Sequence, residues 1–280
     1  MPLVRANGVD LRVDRYRVGP PGARPTVVFI HGLGLSDHAG LALTLGIPLS
    51  TGADVVLYAL RGHGRSQLVP SGYRLADHVA DLVALLDAVG LDHHPVHLVG
   101  CSYGGAVATV TAIRHPERVA SVVYADGVLP VPGWTRRHIM PWLEQGMDTL
   151  ASDCTEDDVA ALFAGVPRRK LDALARRGRR MLLDTTMFDD VRNEPALDPA
   201  EYAGISCPVS AIYGGRSEML YLADVLIEHV PHATIHVVLG ANHGDIYYRT
   251  RELGDLLRLA VGLPPRERAG SLVAAPVGEG

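Results

Sequence analysis

Gly100-Cys101-Ser102-Tyr103-Gly104 is the segment that most restricts the folds open to this chain. An apolar, β-like run from Val96 to Val99 leads into it, and a small-residue helical run from Gly104 to Ile113 follows. A strand that turns sharply into a helix leaves one serine hydroxyl exposed at the tip, which is the geometry of a nucleophile elbow. Glycines on either side of the turn remove Cβ atoms where backbone must approach backbone. The helix that starts past Ser102 aims its free amide groups at any oxyanion formed there. The chain has 30 glycines, so the pentapeptide takes its meaning from its flanks rather than from its letters.

The remaining strands that such a turn requires are legible as short apolar, β-branched runs alternating with helical patterns, the signature of βαβ units and a mainly parallel sheet. The strand candidates are Thr26 to Ile30, Val55 to Ala59, Val96 to Val99, Val119 to Tyr124, Val209 to Tyr213 and Thr234 to Leu239. Val9 to Tyr16 is expected to add an antiparallel hairpin at one edge. Leu75, Val79, Leu82, Val83 and Leu86 repeat at helical spacing, and Gly90 supplies a helix stop. Tyr103 to His115, Leu220 to His229 and Arg251 to Val261 are further helices. The alternation breaks between Gly127 and Pro199, a stretch that looks helical. It reads as a cap inserted over the strand ends. The expected organisation is a doubly wound α/β core at 1–126 and 200–263, a helical cap at 127–199, and a loosely ordered tail at 264–280.

Bulk composition narrows the partners. With 48% hydrophobic and 20% charged residues and a formal net charge of −5, nothing favours nucleic acid or an anionic membrane. No stretch reaches 18 apolar residues, and the first 25 carry no expected signal or transit peptide. Three widely spaced cysteines point to a reducing compartment, the cytoplasm.

Two glycine-rich turns complete a chemical site around Ser102. His31-Gly32-Leu33-Gly34 follows the strand Thr26 to Ile30, and its backbone can face the serine tip. The amides of Leu33 and Tyr103 would then form an oxyanion hole, each donor lowering a barrier by roughly 3 to 4 kcal/mol. Gly240-Ala241-Asn242-His243-Gly244 follows the last strand candidate, so that His243 can swing over the sheet's edge and take the serine proton. His229, His232 and His236 read as structural. His93, His94 and His97 lack a completing carboxylate or cysteine, and no metal site is expected.

The HGLG turn, the segment Arg61 to Ser66 (RGHGRS), the GCSYGG elbow, the stretch His115 to Val119 (HPERV) and the late ANHG loop together resemble the α/β-hydrolase superfamily. The resemblance spans about residues 9–126 and 205–262. It implies a serine hydrolase without cofactor that cleaves an ester, thioester or lactone. Carbon–carbon hydrolysis, perhydrolysis or a non-hydrolytic receptor role on the same fold are the alternatives. It further implies a carboxylate three residues after the strand that ends at Gly214, but that position holds Ser217. Glu218, one residue on, and Asp126, at the end of the strand Val119 to Ala125, are the candidates. Asp126 is favoured, being short and fixed at a strand terminus.

In the cap, Trp134, Met140 and Trp142 are candidate apolar walls for a medium-sized substrate, with Tyr103 beside the nucleophile on the acyl side. Seven basic residues lie between Arg168 and Arg180. They place Arg169, Arg176 and Arg180 near one helical face, which reads either as solvated surface or as a dock for an acidic acyl carrier protein.

Overall fold

The computed structural model describes residues 3–17, 23–33, 38–151 and 168–266. Its strands are β1 (Leu3–Ala6), β2 (Val9–Tyr16), β3 (Thr26–Ile30), β4 (Asp54–Tyr58), β5 (Val96–Cys101), β6 (Val119–Ala125), β7 (Val209–Gly214) and β8 (Thr234–Val238). They form one eight-stranded sheet in the order β1-β2-β4-β3-β5-β6-β7-β8. The first two make the antiparallel edge hairpin, and β2 is also antiparallel to β4. The pairs from β4 through β3, β5, β6 and β7 to β8 are parallel.

Central parallel strands are covered on both faces and therefore read as continuous apolar runs. All five residues of β3 and of β4 are buried. Helices α1 (Leu75–Ala88) and α2 (Tyr103–Arg114) belong to one face, where Leu82, Leu86, Ala106 and Val110 join Val28, Ile30 and Val122. The opposite face packs Val27, Phe29, Val55 and Val99 against Leu253 and Leu257. Asp77 starts α1 by accepting a hydrogen bond from the Arg74 amide, and Gly90, at φ +74°, ends it.

Between β6 and β7 lie a π-helical turn (Thr135–Ile139) and helices α3 (Met140–Ala151), α4 (Arg168–Leu183) and α5 (Met187–Arg192), with no strand among the described residues. Leu143, Met181, Met187 and Val191 are buried in the same cluster as the first face of the sheet. The later half of this cap is also held by polar contacts. Arg177 of α4 donates to the carbonyls of Gly62 and Ser66, the Thr186 amide to Pro70, and Asp190 and Glu194 accept from the amides of Tyr73 and Leu75. Helices α6 (Leu222–His229) and α7 (Thr250–Ala260) close the core.

Strand and helix ends differ from the sequence reading by one or two residues. The larger difference is a helical stretch over residues 38–49, to which the sequence reading assigned no element. Gly46 packs closely there, since a Cβ would stand 3.0 Å from the end of the Leu57 side chain. Most of the expected tail, residues 267–280, lies outside the described residues.

Candidate active site

Ser102 has φ 51° and ψ −124°, a backbone state that a non-glycine residue adopts only when its surroundings enforce it. The enforcement comes from glycine contacts. A Cβ on Gly104 would collide with the Ile30 carbonyl, one on Gly100 with the Gly104 carbonyl, and one on Gly105 with Gly127 and Val128. The Ser102 carbonyl accepts from the amides of Gly105 and Val128, both at 2.9 Å. Strand, helix and the residues that follow β6 therefore meet at the Ser102 turn.

The turn after β3 presses on it from the other side. A Cβ at Gly32 would lie 3.1 Å from Cβ and 3.4 Å from Oγ of Ser102. His31 fixes this turn: its Nε2 accepts from the Leu60 amide at 3.0 Å, so Nδ1 carries the proton and donates to the Gly32 carbonyl at 2.6 Å. Burial holds the His31 pKa well below its ordinary value, with nearby His63 adding to the effect, and keeps the ring neutral. Leu33, the next residue, is buried.

His243 sits in the loop after β8. Gly240 turns at φ +72°, and the Asn242 side chain accepts from the amides of Gly244 and Asp245. The imidazole Nε2 is 3.2 Å from Ser102 Oγ, and Nδ1 is 2.6 Å from Asp126 Oδ2. The Tyr247 ring lies edge-on at 5.9 Å, and its hydroxyl donates to the Ala125 carbonyl.

Asp126 is completely buried at the end of β6, with φ 50°. Besides His243 it accepts from the Gly214 amide at 2.7 Å and from the Ser217 hydroxyl at 2.6 Å. Ser217 in turn accepts from the Met219 amide at 3.1 Å. Burying a carboxylate's oxygens without such donors would be costly. Glu218 is exposed, and the described contacts do not join it to His243. The geometry thus brings together Ser102, His243 and Asp126, and a histidine held with Nδ1–H toward a carboxylate presents its free Nε2 to the serine proton.

Of the expected pocket walls, Trp134 stacks on Tyr103 with ring centroids 5.8 Å apart, next to the nucleophile. Met140 and Trp142 pack into the same apolar cluster. Arg176 and Arg180 are exposed, Arg180 facing Asp184 at 3.7 Å, while the side chains of Arg168 and Arg169 lie outside the described ones. His97 is bonded to the Ser121 hydroxyl at 2.7 Å. The sequence marks Ser217 only as a position that lacks the expected carboxylate, because a hydroxyl gives no sign of an acidic partner. Sequence reasoning also passed over His78, which lies among apolar residues on the buried face of α1.

Residues 25–189 match the model of the α/β-hydrolase fold family. A pimeloyl-[acyl-carrier protein] methyl ester esterase of Chromobacterium violaceum is 30% identical over 243 residues, covering 79% of this chain and 88% of that protein. A putative carbamate hydrolase, RutD, of Caulobacter sp. strain K31 is 27% identical over 262 residues, covering 86% and 92%. Among solved structures, a membrane phospholipase A superposes with a TM-score of 0.77 at 20% identity, covering 93% of this chain and 84% of that one. The esterase EaEST from Exiguobacterium antarcticum superposes with a TM-score of 0.73 at 16% identity, covering 93% and 99%. The chain belongs to the α/β-hydrolase family and is an enzyme acting on acyl bonds. Among the described residues no helix is long and apolar enough to cross a membrane.

Proposed function

We propose that the protein hydrolyses a carboxylic ester, thioester or lactone through an acyl-enzyme on Ser102. The observation that carries this reading is the unbroken chain of hydrogen bonds from Ser102 through His243 to Asp126. Ser102 Oγ attacks the acyl carbon while His243 Nε2 removes its proton. The tetrahedral oxyanion is held by the amides of Leu33 and Tyr103. His243 then returns the proton to the leaving alcohol or thiol. A water molecule, deprotonated by His243, attacks the acyl carbon and releases the acid, restoring Ser102. Asp126 holds the ring through Nδ1 and stabilises the imidazolium.

The acyl group is medium-sized and largely apolar, a reading supported by the stacked Trp134 and Tyr103 next to Ser102. The similarity to an esterase whose named substrate is carried on an acyl carrier protein supports a carrier-bound substrate, with exposed Arg176 and Arg180 of α4 as the dock for its acidic surface.

Intact-mass detection of a fluorophosphonate adduct tests the serine directly. A single adduct mapping to Ser102 and absent from Ser102→Ala is expected, together with a fall in turnover of about four to six orders of magnitude in the variant. A loss below about tenfold in Ser102→Ala sinks the assignment.

A further inference from the structure

One oxygen of Asp126 serves two side chains. His243 Nδ1 and Ser217 Oγ each lie 2.6 Å from Oδ2, while Oδ1 takes the Gly214 amide at 2.7 Å. The direction of the serine proton is fixed by a third neighbour. Ser217 Oγ accepts from the Met219 amide at 3.1 Å, which leaves its hydrogen to Asp126. Ser217 is buried, and its turn is closed by its own amide on the Gly214 carbonyl and by the Leu220 amide on its carbonyl. The hydroxyl is therefore held as a donor.

Two donors on one oxygen compete. A hydrogen bond to a carboxylate oxygen stabilises the negative charge there, and so lessens the gain from placing a proton on the neighbouring imidazole. We propose that Ser217 is a positioning residue that fixes Oδ2 of Asp126 and weakens its hold on the imidazolium, extending activity to lower pH. The proposal rests on the serine-hydrolase reading of the same site and adds a control on its working pH. Ser217 touches the carboxylate and none of the reacting atoms.

The other groups around the pair leave this control to Ser217. Burial, with the charge of Asp126 adding to it, pushes the pKa values of Cys101, Tyr213 and Tyr247 up, so these groups keep their protons. Asp245, in the loop of His243, accepts from the Asn242 amide at 2.8 Å. Two further groups carry charge nearby. His138 of the cap feels the charges of His243 and Glu218, and Glu218 bears also on Tyr247.

NMR titration of the His243 ring in histidine-labelled protein tests the proposal without turnover, its signal assigned by comparison with His243→Gln. In Ser217→Ala the midpoint should rise by about 0.5 pH unit or more, and Ser217→Thr, which keeps the hydroxyl, should return it. The acid limb of kcat/KM on one ester should move by the same amount, because that limb reports the free base. Both shifts should persist in Glu218→Gln and His138→Gln backgrounds, which removes the two neighbouring charges as their source. Should Ser217→Ala not fold, Ser217→Cys, a weaker donor, carries the test and should move the midpoint in the same direction.

A midpoint and limb that stay within about 0.2 pH unit of wild type, or that move down, overturn the proposal. So does a Ser217→Thr protein that behaves as the alanine variant does. Fluorophosphonate labelling of Ser102 is read on every protein. Intact labelling with no shift rejects the role of Ser217 and leaves the hydrolase reading standing. A shifted midpoint in a protein whose Ser102 does not label supports the hold of Ser217 on Asp126 and sinks the hydrolase reading instead.

Discussion

The hydroxyl of Ser217 stands 2.6 Å from Oδ2 of Asp126, the same oxygen that holds His243. Ser217 occupies the place where the family resemblance led us to expect the acid, three residues after Gly214. The side chain there serves the carboxylate instead of being it. The two strand ends, β6 and β7, still meet at His243, with donor and acceptor exchanged between them.

That exchange makes the acid movable. Asp126→Asn should lower kcat/KM by about four orders of magnitude, the cost of losing the carboxylate that orients a catalytic histidine. Glu218→Gln should change it by less than about threefold, as expected for an exposed residue outside the site. Adding Ser217→Asp to Asp126→Asn should recover at least about tenfold over the single variant, because it returns a carboxylate to bonding distance of the imidazole. Steady-state kinetics on one ester decides it, and a double variant no better than the single one would show that only β6 can carry the acid.

The glycine contacts predict opposite stability effects at two positions. Gly104→Ala drives a Cβ into the Ile30 carbonyl and should cost about 3 kcal/mol. Gly146→Ala sits in α3 with only Leu182 Cδ1 within reach, at 3.7 Å, and should stabilise by about 0.5 to 1 kcal/mol. Urea unfolding of the two variants reads both values, and a neutral Gly104→Ala would contradict the packing described here.

Buried neutral histidines make stability depend on pH. Burial, the largest cause, holds the pKa values of His31 and His78 well below normal in the folded chain. Above about pH 6.5 both are neutral folded or unfolded and contribute no slope. Below it the unfolded chain takes up protons that the folded chain refuses, so stability falls as pH falls, by about 1.4 kcal/mol per pH unit for each histidine. Unfolding free energies measured between pH 7.5 and 5.5 should show this decline, and His78→Phe should remove about one proton from the slope. An identical slope in the variant would mean that His78 is not held neutral.

Charge reversal at Arg176 and Arg180 separates a carrier dock from a solvated helix face. The double variant to Glu should raise KM for a carrier-bound acyl ester by about tenfold or more and leave a small free ester within about twofold. Equal effects on both substrates would exclude docking through this face of α4.

Much of this architecture was legible because its constraints are local. The runs that became β3 through β7 are largely apolar and buried along their length, and the elbow announces itself through glycines that backbone contact demands. Ser102 and His243 follow strands, the placement that made them candidates, and the fold brings them within 3.2 Å of each other. Asp126 could be ranked above Glu218 but not separated from it, since the choice depends on how β6 and β7 end relative to His243, a distance the sequence does not contain. His78 was hidden for a related reason. On a helix face shared with Leu75, Val79 and Leu82, an imidazole reads as one more buried side chain until its neighbours across the fold are known. The helical stretch at 38–49 was missed because glycine and proline, usual breakers, are placed where close packing against Leu57 and the start of a turn tolerate them.

Gly127 bears on Gly100 and Gly105 through direct backbone contact. The point at which the chain leaves the core to build the cap is therefore pinned to the turn that carries the nucleophile. A change at Gly127 is therefore felt at the serine turn before it is felt anywhere in the helices that follow.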